Sequence, residues 1–368
     1  MGKSKRYYAA MAKWSKSKIR SIPEGVDFIL RLPDELLEEI LILSTPRRGS
    51  HFFFPRYQAW LNLLLVCKRI SRIVHPLLYE VICFGYNEFY LIPRSKAMEC
   101  FYRSLRGNPK LALLCKHVEI HLPVTPDLRD LRDCINFLEL TNPKKAVLIA
   151  HTIPKPDTWV MQAMWRESLN RSAVSELVLH TPNLSGLFSA DLPHLRTLRI
   201  FGRANAPRGS TSLSDDDRQV LRKKRGTSPI TTLELVPGSH DADFAVYADL
   251  LAWPTALEHF ECHDDVHVWR KSQAHVDMEI FRRILEPQRA SLRSLCVLFN
   301  LPDAEAMNLD FSWFPVLEKL RVAPRATADG PGHVVLPPML QSTGGRSLTG
   351  WKGTTWSSRE AATWEWCI

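Results

Sequence analysis

The chain has 368 residues, of which 45% are hydrophobic, so it can bury a substantial core and is long enough for more than one domain. Its net charge is +9, but residues 1–20 hold seven lysines and arginines and no acidic residue, which excludes a uniformly basic protein. No apolar run reaches the roughly eighteen residues of a membrane-spanning helix, so we expect no contact with a membrane.

Residues 1–27 form a basic N-terminal arm that we expect to be disordered and solvated. The arm lacks the apolar stretch of a secretory signal. Three other interpretations stay open: a nuclear-import segment, a phosphate-contacting segment and a mitochondrial presequence. The eight cysteines are scattered without a Cys-x-x-Cys pair, which favours reduced thiols and a cytoplasmic or nuclear protein.

A first amphipathic helix is predicted within residues 31–44, "RLPDELLEEILILS". Pro33 suits the first turn of a helix, and Asp34 and Glu35 place negative charge where the N-terminus of a helix favours it. Ile42 lies among the glutamates rather than on the apolar face. That face is formed by Leu36, Leu37, Ile40, Leu41 and Leu43.

A second helix is predicted over residues 59–75, "AWLNLLLVCKRISRIVH". Its first half is apolar on all sides apart from Asn62, whereas its second half is amphipathic. A helix that is apolar all round needs burial on more than one side. Residues 28–82 are too few to supply that burial by themselves. The excess apolar surface must therefore meet either the rest of the chain or another protein.

Three separated pieces of this region keep a set order: Leu32–Pro33, the "VCKR" of residues 66–69, and Leu78–Tyr79. Together they resemble an F-box, whose motif ends in a short third helix. The sequence departs from the family in two places. Ile70 stands where many members have tryptophan, and the connection between the two helices, residues 44–58, is longer than usual.

The resemblance implies that residues 28–82 form a helical domain that binds the Skp subunit of Skp–cullin–F-box (SCF) ubiquitin ligases. The alternative is that the same apolar residues are buried against the rest of the chain. The residues that the resemblance assigns to the Skp contact are Leu32, Pro33, Leu36, Ile40, Leu64, Val66, Cys67 and Ile70.

Residues 83–336 carry a recurring pattern, Φ-x-x-Φ-x-Φ, in which Φ is apolar. The spacing between copies varies from about 21 to about 35 residues, in the range of stacked repeats. The Φ-x-Φ part predicts a short strand with alternate side chains facing inward. The middle Φ positions are Val118, Ala146, Leu177, Leu198, Leu233, Phe260, Leu295 and Leu320.

Segments with helical periodicity lie between the predicted strands, at residues 127–140, 158–170, 241–253 and 278–287. The pattern resembles a leucine-rich repeat, and Leu292 to Asn300 reproduce L-x-x-L-x-L-x-x-N with Val297 at the last leucine position. The predicted fold class is α/β: a helical F-box followed by an irregular array of parallel strands backed by helices. An ordinary α/β domain with similar-looking strands remains the alternative.

Residues 337–368 abandon the pattern and are rich in tryptophan, so we expect an irregular, loosely ordered tail. Docking of part of its tryptophan surface on the array, and an error in the gene model, both stay open. An F-box followed by degenerate leucine-rich repeats resembles the large F-box families of fungi. That resemblance implies a substrate-recognition adaptor whose array holds an unknown protein substrate. A ligase-independent repeat scaffold is the alternative.

No phosphate-binding, dinucleotide-binding, zinc-protease or nucleophile-elbow motif is found, so we expect no catalytic residue and no cofactor. Because the excess positive charge is confined to the arm, we expect no nucleic-acid partner, and an enzyme or a nucleic-acid binder that uses this arm is the third hypothesis. The densest set of potential metal ligands is His259, Cys262, His263 and His267. These residues lie on a predicted strand, where they would not converge, so no metal site is expected.

Overall fold

A computed structural model of the chain describes residues 31–44, 53–84, 94–122, 128–150, 169, 172–180, 184, 186–201, 215–236, 244–263, 278–298, 309–322, 334–335 and 364–367. The chain divides into two compact units, Met1–Tyr79 and Glu80–Ile368. The predicted boundary between the domains, at residue 82, lies three residues further along the chain. The basic arm and almost all of the helix predicted over residues 158–170 lie outside the described residues.

The first unit contains three helices: α1 (Asp34–Ser44), α2 (Phe53–Leu64) and α3 (Lys68–Glu80). The backbone N–H of Leu37 donates to the carbonyl of Pro33 at 3.0 Å, so helical hydrogen bonding begins at the predicted proline. One face of each helix contributes to a shared core, which is formed by Leu37, Leu41, Trp60, Ile70, Ile73 and Val74.

The structure interrupts the helix that the sequence predicts over residues 59–75. The amide N–H groups of Leu65 and Val66 each donate to a carbonyl three residues back, which ends α2 in a tight turn. Cys67 then caps α3: its carbonyl accepts from the Ser71 N–H at 2.9 Å, and its sulfur accepts from the Ile70 N–H at 3.5 Å. The break contains no glycine or proline, so no local signal in the sequence predicts it.

Two further predictions for this unit are wrong. The second helix starts at Phe53 rather than near residue 59, so the last six residues of the predicted long connection are helical. Pro55 lies in its first turn, where proline is tolerated. Leu78 and Tyr79 form the last turns of α3 instead of a separate third helix.

The second unit is built on a sheet whose described strands number ten. Nine of them are parallel and lie in chain order, and each pairs with its neighbour along the chain. These are β1 (Val81–Phe84), β2 (His117–Leu122), β3 (Lys145–Ala150), β4 (Glu176–His180), β5 (Thr197–Phe201), β6 (Thr232–Val236), β7 (His259–His263), β8 (Ser294–Leu298) and β10 (Lys319–Val322). A two-stranded pair, β9 (Leu309–Asp310) and β11 (Val334–Val335), lies apart from this sheet.

Helices occupy several of the connections between these strands, so the fold class is mixed α/β, as predicted. The described helices are α4 (Arg94–Gly107), α5 (Pro109–Ala112), α6 (Leu128–Thr141), α7 (Asp215–Lys223), α8 (Phe244–Ala252) and α9 (Met278–Leu285). Short 3-10 turns follow at Leu187–Ser189 and Glu286–Gln288. None of the helices in the described part of the chain combines the length and apolarity that crossing a membrane requires.

The eight middle positions of the recurring pattern form a single row across the sheet. Each pairs laterally with the next, from Val118 opposite Ala146 to Leu295 opposite Leu320. None of the eight is more than 3% exposed. Ile82 extends the row into β1, a strand that the sequence analysis did not predict. The pattern therefore marks the buried face of the sheet.

A second regularity lies just before each strand, where one carbonyl accepts hydrogen bonds from two consecutive amides of the following repeat. The carbonyl of Lys116, for example, accepts from the N–H groups of Lys144 and Lys145, both at 3.0 Å. The same arrangement recurs at seven carbonyls: those of Lys116, Lys144, Ser175, Arg196, Thr231, Glu258 and Arg293.

The described residues of the C-terminal tail form a strand that the sequence analysis did not predict. Residues Trp364–Cys367 form β12, which pairs antiparallel with β10 in a register that sets Trp366 opposite Leu320. The prediction of an irregular tail is therefore wrong for these four residues. The rest of residues 337–368 lies outside the described part of the chain.

Candidate partner-binding surface

Helix α1 presents apolar side chains on two faces. Leu37 and Leu41 point into the core of the first unit and are 0% and 7% exposed. Leu36 and Ile40 are 49% and 44% exposed, although each adjoins one of these core residues in the sequence. A helix needs one apolar face to join a core, so the second face is surplus to the fold of this unit.

The break between α2 and α3 exposes more apolar surface. Leu65 and Val66 lie in the turn that ends α2 and are 85% and 61% exposed. Leu61, one turn earlier in α2, is 46% exposed. The sequence analysis placed these residues in the half of a continuous helix that is apolar on all sides, whereas the structure places Leu65 and Val66 in an exposed turn.

Exposed large hydrophobic side chains are concentrated in this unit. In the described part of the chain they number eight, and seven of them fall between residues 36 and 66. The eighth, Leu113, belongs to the second unit and is 80% exposed. The seven are Leu36, Ile40, Ile42, Leu43, Leu61, Leu65 and Val66.

The eight residues predicted to contact a partner fall into three groups. Pro33, Leu36, Ile40 and Val66 are exposed. Leu32, Leu64 and Cys67 are half-buried, and the last two pack against the core. Ile70 is 7% exposed and belongs to the core itself, where the third position of α3 directs it inward. Its burial corrects the prediction of a surface role, since it offers almost no area to a partner.

An open groove of about 710 Å³ adjoins the break. Its walls come from the end of α2 and from one side of α3, so it brings the predicted residues Leu64 and Cys67 together with Leu65, which the sequence analysis missed. The lining residues are Leu64, Leu65, Cys67, Lys68, Ser71, Arg72, His75 and Pro76. The groove therefore combines an apolar end with a basic and polar side.

Ion pairs fasten the start of α1 to α3. The Asp34 carboxylate accepts from Arg69 Nε at 2.8 Å and from Arg72 Nη2 at 2.5 Å, and the Arg69 guanidinium also donates to the carbonyl of Leu32. The hydrogen bond from Arg69 is the main reason that the pKa of Asp34 is lowered from its ordinary value. The Leu-Pro-Asp piece and the Val-Cys-Lys-Arg piece of the sequence thus meet in space.

The second unit offers a different kind of surface on the face of the sheet opposite the buried row. Charged residues on neighbouring strands pair there: Lys145 with Glu176, and Arg199 with Glu234 at 3.3 Å. The rings of His180 and Phe201 stack at 4.4 Å between centroids. This face can therefore offer both polar and aromatic contacts.

His259 and Cys262, the two residues of the histidine-rich stretch whose side chains the structure describes, do not lie together in β7. His259 faces outward with its side chain 49% exposed, whereas Cys262 is 1% exposed on the buried face. Residues 259 and 262 lie on opposite faces because side chains alternate along a strand. His267 lies outside the described residues.

Comparisons with protein-family models, with curated proteins and with solved structures found no match.

Proposed function

We propose that the chain is a substrate-recognition adaptor of an SCF ubiquitin ligase, in which the helical unit binds the Skp subunit and the second unit binds a protein substrate. The observation that carries the proposal is the concentration of exposed apolar side chains between residues 36 and 66. As an adaptor, the chain supplies binding surfaces and leaves catalysis to the other subunits, in the cytoplasm or the nucleus.

Burial of the exposed apolar side chains between residues 36 and 66 by a bound subunit is energetically favourable. Fully burying a leucine or valine side chain contributes about 1.5–3 kcal/mol. Burial of four exposed side chains would therefore contribute several kcal/mol of favourable free energy. These are Leu65, Val66, Leu36 and Ile40. Apolar residues concentrated in this way mark protein–protein contacts, and an obligate subunit would cover them.

The contacts of Arg69 support the F-box resemblance. The family pattern sets a Leu-Pro-acidic start before a Val-Cys-Lys-Arg piece, and in this chain those pieces touch through Asp34 and Arg69, 35 residues apart. Cys67 caps α3 with its sulfur. The motif residues thus have structural tasks, while neighbouring Val66 is left for a partner.

We further propose that the second unit is a degenerate leucine-rich-repeat array. Three observations support this: the strands lie in chain order without reversal, one apolar row crosses all nine parallel strands, and one carbonyl per repeat accepts two hydrogen bonds from the next. Doubly wound α/β sheets instead reverse their strand order. The face that carries Arg199, Glu234 and His180 is the proposed substrate surface.

The test is a binding titration of the full chain with purified Skp subunit. The variant Leu65→Glu/Val66→Glu places two charges on the exposed turn, and we expect it to bind at least about a hundredfold more weakly, because burying an unpaired charge is costly. The matched control is Leu113→Glu, an equally exposed leucine in the second unit, which should bind like the wild type. A folded wild type that does not bind, or a double variant that binds normally, contradicts the proposal.

Ubiquitin transfer distinguishes the adaptor from a ligase-independent scaffold. We expect a reconstituted ligase containing the chain to ubiquitylate proteins captured by the second unit. The Leu65→Glu/Val66→Glu variant should capture the same proteins without modifying them. Skp binding without any transfer would instead identify a scaffold.

A further inference from the structure

A cysteine, a glutamate and a histidine converge on the first two strands of the sheet. Cys83 in β1 and Glu119 in β2 are lateral partners in the register, so their side chains lie side by side on the face opposite the buried row. His121 follows two residues after Glu119 and therefore shares its face. Their potential ligand atoms all lie within 4.8 Å of one another.

Glu119 is a buried carboxylate that a nearby cation would stabilise. Glu119 is 7% exposed, and its carboxylate contacts the Nε2 atom of His121 at 2.7 Å and the thiol of Cys83. Both of those groups can be uncharged. On the other side, β3 places Val147 beside Glu119 and Ile149 beside His121, so the register supplies no lysine or arginine at these two levels. A buried carboxylate is costly unless a cation compensates it.

A divalent cation between Cys83 and Glu119 would compensate the buried carboxylate and would stabilise the Cys83 thiolate as its ligand.

We propose that Cys83, Glu119 and His121 form a zinc site that fastens β1 to β2, with one coordination position left for water. Thiolate sulfur, imidazole nitrogen and carboxylate oxygen are the ligand types that zinc takes in proteins, at about 2.3 Å for sulfur and about 2.0–2.2 Å for the other two. Magnesium and calcium prefer oxygen ligands alone, so this set disfavours them.

The charges balance for this donor set. The Cys83 thiol loses its proton to solvent, the His121 imidazole binds as the neutral base, and Glu119 binds as a carboxylate. Zn²⁺ thus forms a neutral three-ligand centre and releases one proton. The donors now lie within 4.8 Å of one another, and tetrahedral coordination requires roughly 3.3–3.7 Å between them, so small side-chain movements complete the site.

The position suggests a structural role. β1 has four residues and lies at the edge of the sheet, where it pairs with β2 alone among the described strands. End repeats of a stacked array lack one neighbour and depend on capping contacts. A metal ion coordinated by both strands would supply such a contact.

Zinc binding to the untagged full chain tests the proposal, by competition with a chromophoric chelator and with proton release measured in weak buffer. We expect one equivalent of Zn²⁺ to bind with a dissociation constant below about 1 µM. Cys83→Ser and His121→Ala should each weaken binding at least about a hundredfold, because even loss of a second-shell partner costs about 10- to 100-fold. Cys296→Ser is the matched control: it removes a buried cysteine from the same face, in β8, and should bind like the wild type.

The wild-type chain loaded with Co²⁺ provides a readout that does not depend on the folding of any variant. We expect the strong visible absorption of a four-coordinate cobalt centre, together with a thiolate-to-cobalt charge-transfer band. A chain that binds no metal ion, a cobalt spectrum without the thiolate band, or unchanged affinity in folded Cys83→Ser and His121→Ala variants would overturn the proposal.

Discussion

Asp34 and Arg69 show how one ion pair can organise a small helical unit. The Arg69 guanidinium bonds both to the Asp34 carboxylate and to the carbonyl of Leu32, so it fixes the entry of the chain into α1. Its neighbour in sequence, Ile70, is buried in the core. The start of α3 thus contributes Ile70 to the core and Arg69 to the contacts with α1, while Cys67 caps the helix.

Replacing Asp34 by asparagine should lower the melting temperature at neutral pH, since both arginine contacts lose their charge partner. The folded-state pKa of Asp34 lies below the ordinary value of 3.8, so its contribution is complete above that pH. The contribution disappears as the pH falls through the folded-state pKa. Melting curves of Asp34→Asn and the wild type should therefore differ at pH 7 and converge in acid.

Glu38→Gln is the control for this experiment. Glu38 is exposed on the same helix, so its neutralisation should leave the melting temperature nearly unchanged at every pH. A difference between Asp34→Asn and the wild type that did not shrink as the pH falls below 3.8 would show that the variant acts through something other than the ion pairs.

At the scale of single elements, two adjacent leucines of α1 have different roles: Leu37 stabilises the fold, whereas Leu36 is expected to contact the partner. Leu37→Ala should destabilise the first unit by about 2–5 kcal/mol, because Leu37 is fully buried and its truncation leaves a cavity. Leu36→Ala should change stability by less than about 0.5 kcal/mol, since Leu36 is half exposed, and should weaken Skp binding. Urea unfolding together with the Skp titration measures both effects. Equal losses of stability in the two variants would contradict this division of α1.

The strands were the most predictable elements. A three-position apolar pattern requires only local alternation, and each of its eight middle positions, from Val118 to Leu320, lies in the buried row. Three of the six described helices of this unit, α6, α8 and α9, were located to within about three residues, whereas α4, α5 and α7 were not predicted. Periodicity succeeds here because one neighbouring layer buries one face of each element.

Sequence reasoning failed where the decisive contact is not periodic. The break after α2 depends on the Cys67 sulfur as a helix cap, and β12 depends on pairing with β10, more than forty residues earlier in the chain. The cluster of Cys83, Glu119 and His121 requires the lateral register of two strands separated by over thirty residues. Register follows from packing across the sheet, and one sequence does not display it.

For the molecule as a whole, the sheet of the second unit has two ends with different chemistry. At one end, β1 is a four-residue parallel strand beside the Cys83 cluster. At the other, β12 runs antiparallel to β10 and pairs with it along four residues. Exposed strand edges are templates for unwanted pairing, so both ends of a stacked array need protection.

Removal of residues 364–368 should therefore accelerate hydrogen exchange in β10 selectively. Alternate amides of a strand point to opposite neighbours, so the N–H groups of Lys319–Val322 that face β12 lose their acceptors, while those facing β8 keep theirs. We expect hydrogen exchange in β10 to accelerate at least about tenfold, equivalent to about 1.4 kcal/mol of local stability. Exchange in β3 and β4, at a distance along the sheet, should not change. Removal of Ile368 alone is the control, because it leaves β12 intact, and unchanged protection of β10 in the longer truncation would show that β12 does not stabilise this edge.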